Sequence, residues 1–146
     1  MSKMIFVNLP VADLVRSVAF YEAMGARKEP KFSNEQAAMM VLSDAIHVML
    51  LTHGFFSTFT PKRIPDARES AQVLLCLSEE SREAVDAHVE RARAAGGAPD
   101  PTPTQDFGLM YGRSYEDPDG HIWEVMWMEA GAAEEGASAF ETAQAA

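Results

Sequence analysis

Residues 116–127 read EDPDGHIWEVMW, and Glu124 is a lone carboxylate inside the apolar run Ile122, Trp123, Val125, Met126 and Trp127. A carboxylate held among apolar side chains is expected to have a raised pKa, which suits a general base or an acceptor for a ligand's donor group. Just upstream, Tyr111, Arg113 and Tyr115 alternate, so in a strand they point one way. Turned to a cleft they could grip an anionic or aromatic ligand, because arginine matches carboxylate and phosphate. Turned to solvent they are ordinary sheet surface. The structural alternative for Glu124 is a pairing with Arg113 across neighbouring strands. The four histidines, His47, His53, His88 and His121, show no close pairing. His88, among Val85 and Val89, reads as a packing residue, His53 as loop surface, and Cys76 as inert filling of an apolar strand.

These residues need elements to carry them. "KMIFVNLPV" (3–11) reads as a strand with a proline at its exit. Asp13 follows as the N-cap of a helix whose apolar face is Leu14, Val18 and Tyr21, stopped by Gly25. A weaker strand is expected over 26–32, then strands over 36–43 and 45–52 joined by a Ser43-Asp44 turn. Residues 53–70, rich in aromatics and proline, read as a crossing loop with a short helix. The order then restarts: a strand over 71–78, and a helix beginning at Ser78 with Glu79 and Glu80 in its first turn. That helix has the apolar face Val85, Val89 and Ala92, and it ends at Gly96-Gly97. One weak and one better strand fall within 101–116. The Asp117-Pro118-Asp119-Gly120 turn and a strong strand over 121–128 complete the half. Alternation puts Ile122, Glu124, Met126 and Met128 on one face of that strand, and Trp123, Val125 and Trp127 on the other, beneath a helix.

Strand, helix, three strands, twice over, is a duplicated βαβββ unit with a period of roughly 65 residues. The expected class is α+β: one domain over 1–128, built of modules at about 3–53 and 70–128. Residues 129–146 form a flexible acidic tail outside the core. The two sheets are expected to join edge to edge as a curved mixed sheet around an open trough, a natural ligand site. Phe6, Asn8, Gln72 and Leu74 would line it with Glu124.

The formal net charge of -10, from 12 basic and 22 acidic residues, makes nucleic acid and anionic membranes poor partners. No apolar run approaches a spanning helix, no leader is evident, and a single cysteine fits a reducing compartment, so a cytoplasmic protein is expected.

"NLPVADLVRSVAFYEAMGA" (8–26) resembles the opening motif of the vicinal oxygen chelate superfamily, the glyoxalase, bleomycin-resistance and dioxygenase fold. "EDPDGHIWEV" (116–125) resembles its closing motif. Metal-using members hold one divalent ion with four side chains, one each from the first and last strand of each half. The resemblance places Phe6, then Met49 (or His47 on a register slip of two), Gln72 and Glu124 at those positions. Phenylalanine binds no metal and methionine suits the family's ions poorly. Two readings follow. One is a binder of a small organic molecule with an incomplete ligand set and no cofactor, its trough walled by Phe6, Asn8, His47, Met49, Gln72, Leu74, Tyr111, Arg113 and Met126. The other is a metal-dependent lyase, isomerase or dioxygenase, similar to glyoxalase I. There Gln72, Glu124 and His47 would hold Ni, Zn, Mn or Fe, with Glu124 as ligand or base. A purely structural module is a third reading, and the family resemblance implies a homodimer.

Overall fold

The computed structural model describes residues 2–132 and Gly136; the rest of the expected tail, 133–135 and 137–146, lies outside the described residues. The class is α+β, and the chain divides into two compact units, each with its own sheet and helix. The first comprises the chain to Ser70 together with Pro118–Gly120; the second comprises Ala71–Asp117 and the chain from His121 onward. No helix among the described residues is long and apolar enough to cross a membrane.

In the first unit β1 (Ile5–Val11) leads to helix α1 (Leu14–Ala23), then β2 (Arg27–Glu29), β3 (Ala37–Val41) and β4 (Ile46–Thr52). The sheet order is β1-β4-β3-β2, with β1 and β4 parallel and the other pairs antiparallel. Asp13 caps α1 by accepting the Arg16 N–H, and Gly25, at φ +98°, carries the turn that ends it. The buried stripe of α1 is Ser17, Phe20 and Tyr21, rotated from the expected Leu14, Val18 and Tyr21, because Ser17 turns inward to bond a carboxylate described below. The expected strand over 26–32 is cut short at Glu29, where Pro30 starts a single 3₁₀ turn, Pro30–Phe32. Leu9, Met40, Val48 and Leu50 form the buried face of the sheet, against which α1 packs. Burial of each such side chain contributes roughly 1.5–3 kcal/mol. A short helix, α2 (His53–Phe56), follows β4 within the expected loop.

The second unit runs β5 (Leu75–Ser78), α3 (Arg82–Ala94), β6 (Ala98–Pro99), β7 (Gln105–Asp106), β8 (Met110–Glu116) and β9 (Ile122–Met128). Its sheet order is β5-β9-β8-β6, with β7 also paired to β8 and β5 parallel to β9. The helix begins at Ser81, which accepts the Ala84 N–H, and not at Ser78. Ser78 is still paired with Met126, and the Glu79 N–H bonds the Met126 carbonyl, so the strand holds those residues extended. Val85, Val89 and Ala92 are fully buried as expected, on a helix that packs against β8 and β9, whose Tyr115, Trp123 and Val125 are buried too. Strand β5 starts four residues later than expected. Gln72 and Leu74 therefore lie outside it and are exposed.

Charge divides as sharply as the fold. The first unit carries eight basic and eight acidic residues, whereas the second carries four and fourteen, so the second accounts for the whole excess of acid.

Candidate functional site

The register of the closing hairpin fixes the surroundings of Glu124. Glu116 pairs with Ile122 across the turn, which brings Ser114 opposite Glu124 on one side, while Cys76 of β5 lies opposite it on the other. Side chains at paired positions share a face, so Cys76, Glu124 and Ser114 form one row. The row above it is Ser78, Met126 and Gly112, and Met110 pairs with Met128 beyond. On this face, away from α3, a cleft of about 130 Å³ is lined by Cys76, Met110, Gly112, Ser114, Glu124 and Met126, with Thr102, Pro103 and Gln105 at its side. Arg113 and Val125 also border it, although the pleat turns their side chains to the opposite face. A Cβ on Gly112 would stand 3.7 Å from Met110 Cε and 3.9 Å from Met126 Cβ, so the glycine leaves the space between the two methionines open.

Glu124 is half-buried and has no hydrogen bond or ion pair among the described residues. Its expected alternative partner, Arg113, is engaged elsewhere. Arg113 Nη2 and Nε donate to Asp100 at 2.7 and 3.0 Å, and Nη1 donates to Asp86 at 3.0 Å. The same Asp86 accepts the Tyr111 hydroxyl at 2.7 Å. Tyr115 stands in the same row, its hydroxyl 3.2 Å from Nε2 of His88, whose Nδ1 lies 2.9 Å from Glu79. Tyr111 and Arg113 were expected to grip a ligand if they faced a cleft. The structure turns their polar ends to the α3 side of the sheet, where Asp86 of α3 and Asp100 after β6 already satisfy them. Burial, and after it the Glu124 carboxylate, pushes the Cys76 thiol above its ordinary range.

The remaining expected residues fall in the first unit. Phe6, Asn8, His47 and Met49 share the sheet face turned away from α1, since Phe6 pairs with His47 and Asn8 with Met49. Phe6 and His47 stack with ring centroids 4.6 Å apart and 18° between planes. His47 is buried, and its Nδ1 has neither solvent nor a hydrogen-bond partner among the described residues. His88 packs beneath β8 as expected, and His53 is exposed. His121 sits at the turn, its N–H bonded to Asp117.

The donors fit a metal poorly. Phe6 is not a donor, Met49 is a thioether, and Gln72 lies in an exposed bend outside β5. Among the described residues, no three His, Cys, Asp or Glu side chains are grouped to hold a metal ion.

Reading residues one by one missed Gly112, Ser114, Thr102 and Gln105. The signal for the first two was present: the Asp-Pro-Asp-Gly turn pins the hairpin register, and counting back from it puts Ser114 opposite Glu124.

The sequence profile of the Glyoxalase/Bleomycin resistance protein/Dioxygenase superfamily matches residues 3–125. No protein of curated function matches the chain. Among solved structures, a hypothetical protein from S. aureus is similar at 27% identity and a TM-score of 0.72, over 87% of this chain and 94% of that one. A glyoxalase-related enzyme from Fulvimarina pelagi is similar at 22% identity and a TM-score of 0.71, over 87% and 88%. The fosfomycin resistance protein FosX from Listeria monocytogenes, complexed with Mn(II) and sulfate, is similar at 18% identity and a TM-score of 0.67, over 92% and 97%. The last two likenesses carry the fold alone.

Proposed function

This chain belongs to the glyoxalase, bleomycin resistance protein and dioxygenase superfamily, and on that premise we propose that it binds a small organic cation in the cleft of its second sheet. The observation that carries the reading is the Glu124 carboxylate, half-buried in that cleft and without a partner among the described residues. A partly desolvated carboxylate gains most from a ligand that supplies charge and N–H donors together, because such a pair is screened less than one in bulk water. Met110 and Met126 offer adaptable apolar walls for the body of the ligand. The excess of acid carried by this unit raises the local concentration of cations and repels anions. Gln105 and the Thr102–Ser114 hydroxyl pair, 2.9 Å apart, line the same cleft and would meet neutral polar groups of the ligand.

The chemistry assigned to Glu124 is therefore acceptance of a hydrogen bond from a cationic group, with the ligand held and not turned over. The poor donor set supports a metal-free site. Benzamidine is a suitable probe, being a planar amidinium on an apolar ring. Calorimetric titration of the wild type and of Glu124→Gln should show binding that weakens about tenfold or more in the variant, the loss expected for one partly buried ionic hydrogen bond. Equal binding by the two proteins would overturn the reading. So would saturable stabilisation of the chelator-treated protein by a single divalent ion, which would favour the metal-dependent lyase or dioxygenase reading instead.

A further inference from the structure

From Pro99 to Thr104 the edge of the second sheet reads PDPTPT, a proline at every other position. Pro99 pairs with Tyr115 and Gln105 with Gly112, so residues 100–104 of the edge oppose only Arg113 and Ser114 of β8. The surplus leaves the ladder as a strap between β6 and β7. Its tip reaches the cleft: Thr102 and Pro103 line it, and the Thr102 hydroxyl lies 2.9 Å from that of Ser114. Ser114 stands opposite Glu124, so the strap walls one end of the row that holds the carboxylate.

Proline fixes φ and carries no N–H, which makes the strap stiff at Pro101 and Pro103 and unable to pair there with β8. A stiff strap is aimed by its root, and the root is Asp100. This residue sits at φ +54°, a left-handed backbone that a residue with a side chain disfavours. Its N–H donates to the Ser114 carbonyl at 2.8 Å. Its carboxylate accepts Nε and Nη2 of Arg113 at 3.0 and 2.7 Å, a two-pronged pair that fixes direction as well as distance. Arg113 is pinned in turn to Asp86 of α3 at 3.0 Å. Arg113 and Ser114 are neighbours on β8 and face opposite ways, so one peptide joins the ion pair on the α3 side to the cleft side. A backbone held in a disfavoured region by its surroundings marks a position that function constrains.

We propose that Asp100 is a positioning residue for the cleft. Tied to Arg113, it aims the strap so that Thr102 and Pro103 limit the ligand beside Glu124 to a single ring. The cleft volume of about 130 Å³ is on the scale that takes one benzene ring. The proposal rests on the ligand site described above and adds its size limit, set from the opposite face by an ion pair that touches no ligand.

Benzamidine and 2-naphthamidine carry the same cation on one ring and on two. In calorimetric titrations of the full chain, 2-naphthamidine should bind about tenfold or more weakly than benzamidine, the cost of forcing extra atoms into a filled site. Asp100→Ala should cut that ratio to about threefold or less while benzamidine binds as before. Asp100→Asn tolerates the same backbone and keeps an acceptor for Arg113, so it should retain the discrimination. Asp100 is exposed at the sheet edge, and its replacement leaves the core packing intact. A ligand-free readout accompanies the titrations: the nuclear Overhauser contact between the Thr102 and Ser114 side chains should be present in the wild type and Asp100→Asn, and lost in Asp100→Ala. Equal binding of the two amidines by the wild type, an unchanged ratio in Asp100→Ala, equal weakening of both probes there, or a retained Overhauser contact would overturn the proposal. If neither amidine binds the wild type, the cationic reading fails, and the Overhauser contact alone decides whether Asp100 positions the strap.

Discussion

Asp119, in the turn between β8 and β9, belongs to the first unit, and replacing it by alanine is the most direct test of what that turn does. Its carboxylate accepts the Ala12 N–H at 2.8 Å and the Ser17 hydroxyl at 3.2 Å, and it lies 3.6 Å from the Arg16 guanidinium. Asp119 is 7% exposed and Ser17 is fully buried, so after the substitution the Ser17 hydroxyl cannot recover its hydrogen bond from bulk water. Two hydrogen bonds to a charged acceptor, each worth about 1.5 kcal/mol net, give about 3 kcal/mol. The Arg16 pair adds little, roughly 0.5 kcal/mol at most, because that side chain is largely solvated. Ala12 is exposed and its N–H recovers some solvation, which brings the expected loss for Asp119→Ala to about 2–3 kcal/mol. In urea, with a slope of about 2 kcal/mol per molar, the unfolding midpoint should fall by about 1–1.5 M at unchanged slope. Ser17→Ala removes one of the two bonds and should cost about half as much. A fall below roughly 0.25 M for Asp119→Ala would refute the assignment of the carboxylate as a latch on the start of α1.

Three further outcomes are expected. Gly120→Ala should destabilise by about 2–3 kcal/mol, since φ is +99° and the new Cβ would lie 2.9 Å from the Arg68 backbone nitrogen; a melting temperature like the wild type's would contradict this. Asp106 is held down to about 2 by the Arg82 guanidinium and, after it, by the Gly108 N–H. Its pKa is lowered by folding, so its contribution to stability is present above the ordinary carboxylate value and is lost as pH falls towards 2; Arg82→Ala should raise the midpoint in an NMR titration. The Cys76 thiol is raised by burial and then by Glu124, so its contribution is present below the ordinary thiol value and is lost as pH rises. Glu124→Gln should accordingly move the pH profile of Cys76 alkylation to lower pH, and an unmoved profile would show that the two groups do not sense each other.

The duplicated βαβββ order was readable because its punctuation is local: Asp13, Gly25, Gly96 and the Asp-Pro-Asp-Gly turn each dictate backbone geometry on their own. Alternation correctly placed Ile122, Glu124, Met126 and Met128 on one face of β9, for the same reason. What failed was where strands begin and what faces what. Ser78 and Ser81 are equally good caps in the sequence, and only pairing with Met126 decides between them. Tyr111 and Arg113 could not be assigned a face from parity. Their direction depends on α3 presenting Asp86, Glu90 and Asp100 being nearby, contacts between residues far apart in the chain. The solvent-free Nδ1 of His47 was equally invisible, because burial is a property of the packed sheet and not of the residue.

The place of Asp119 has a consequence for how the chain is made. The latch on α1 is encoded about fifty residues after the first unit's other sequence ends at Ser70, so during synthesis that unit waits roughly 3–10 s for its last hydrogen-bond acceptor to emerge. A nascent chain, or a proteolytic fragment, that stops at Ser70 has every strand of the first sheet and still exposes the Ala12 N–H and the Ser17 hydroxyl. The two repeats look separable in sequence, yet the first is finished only when the second has nearly been translated.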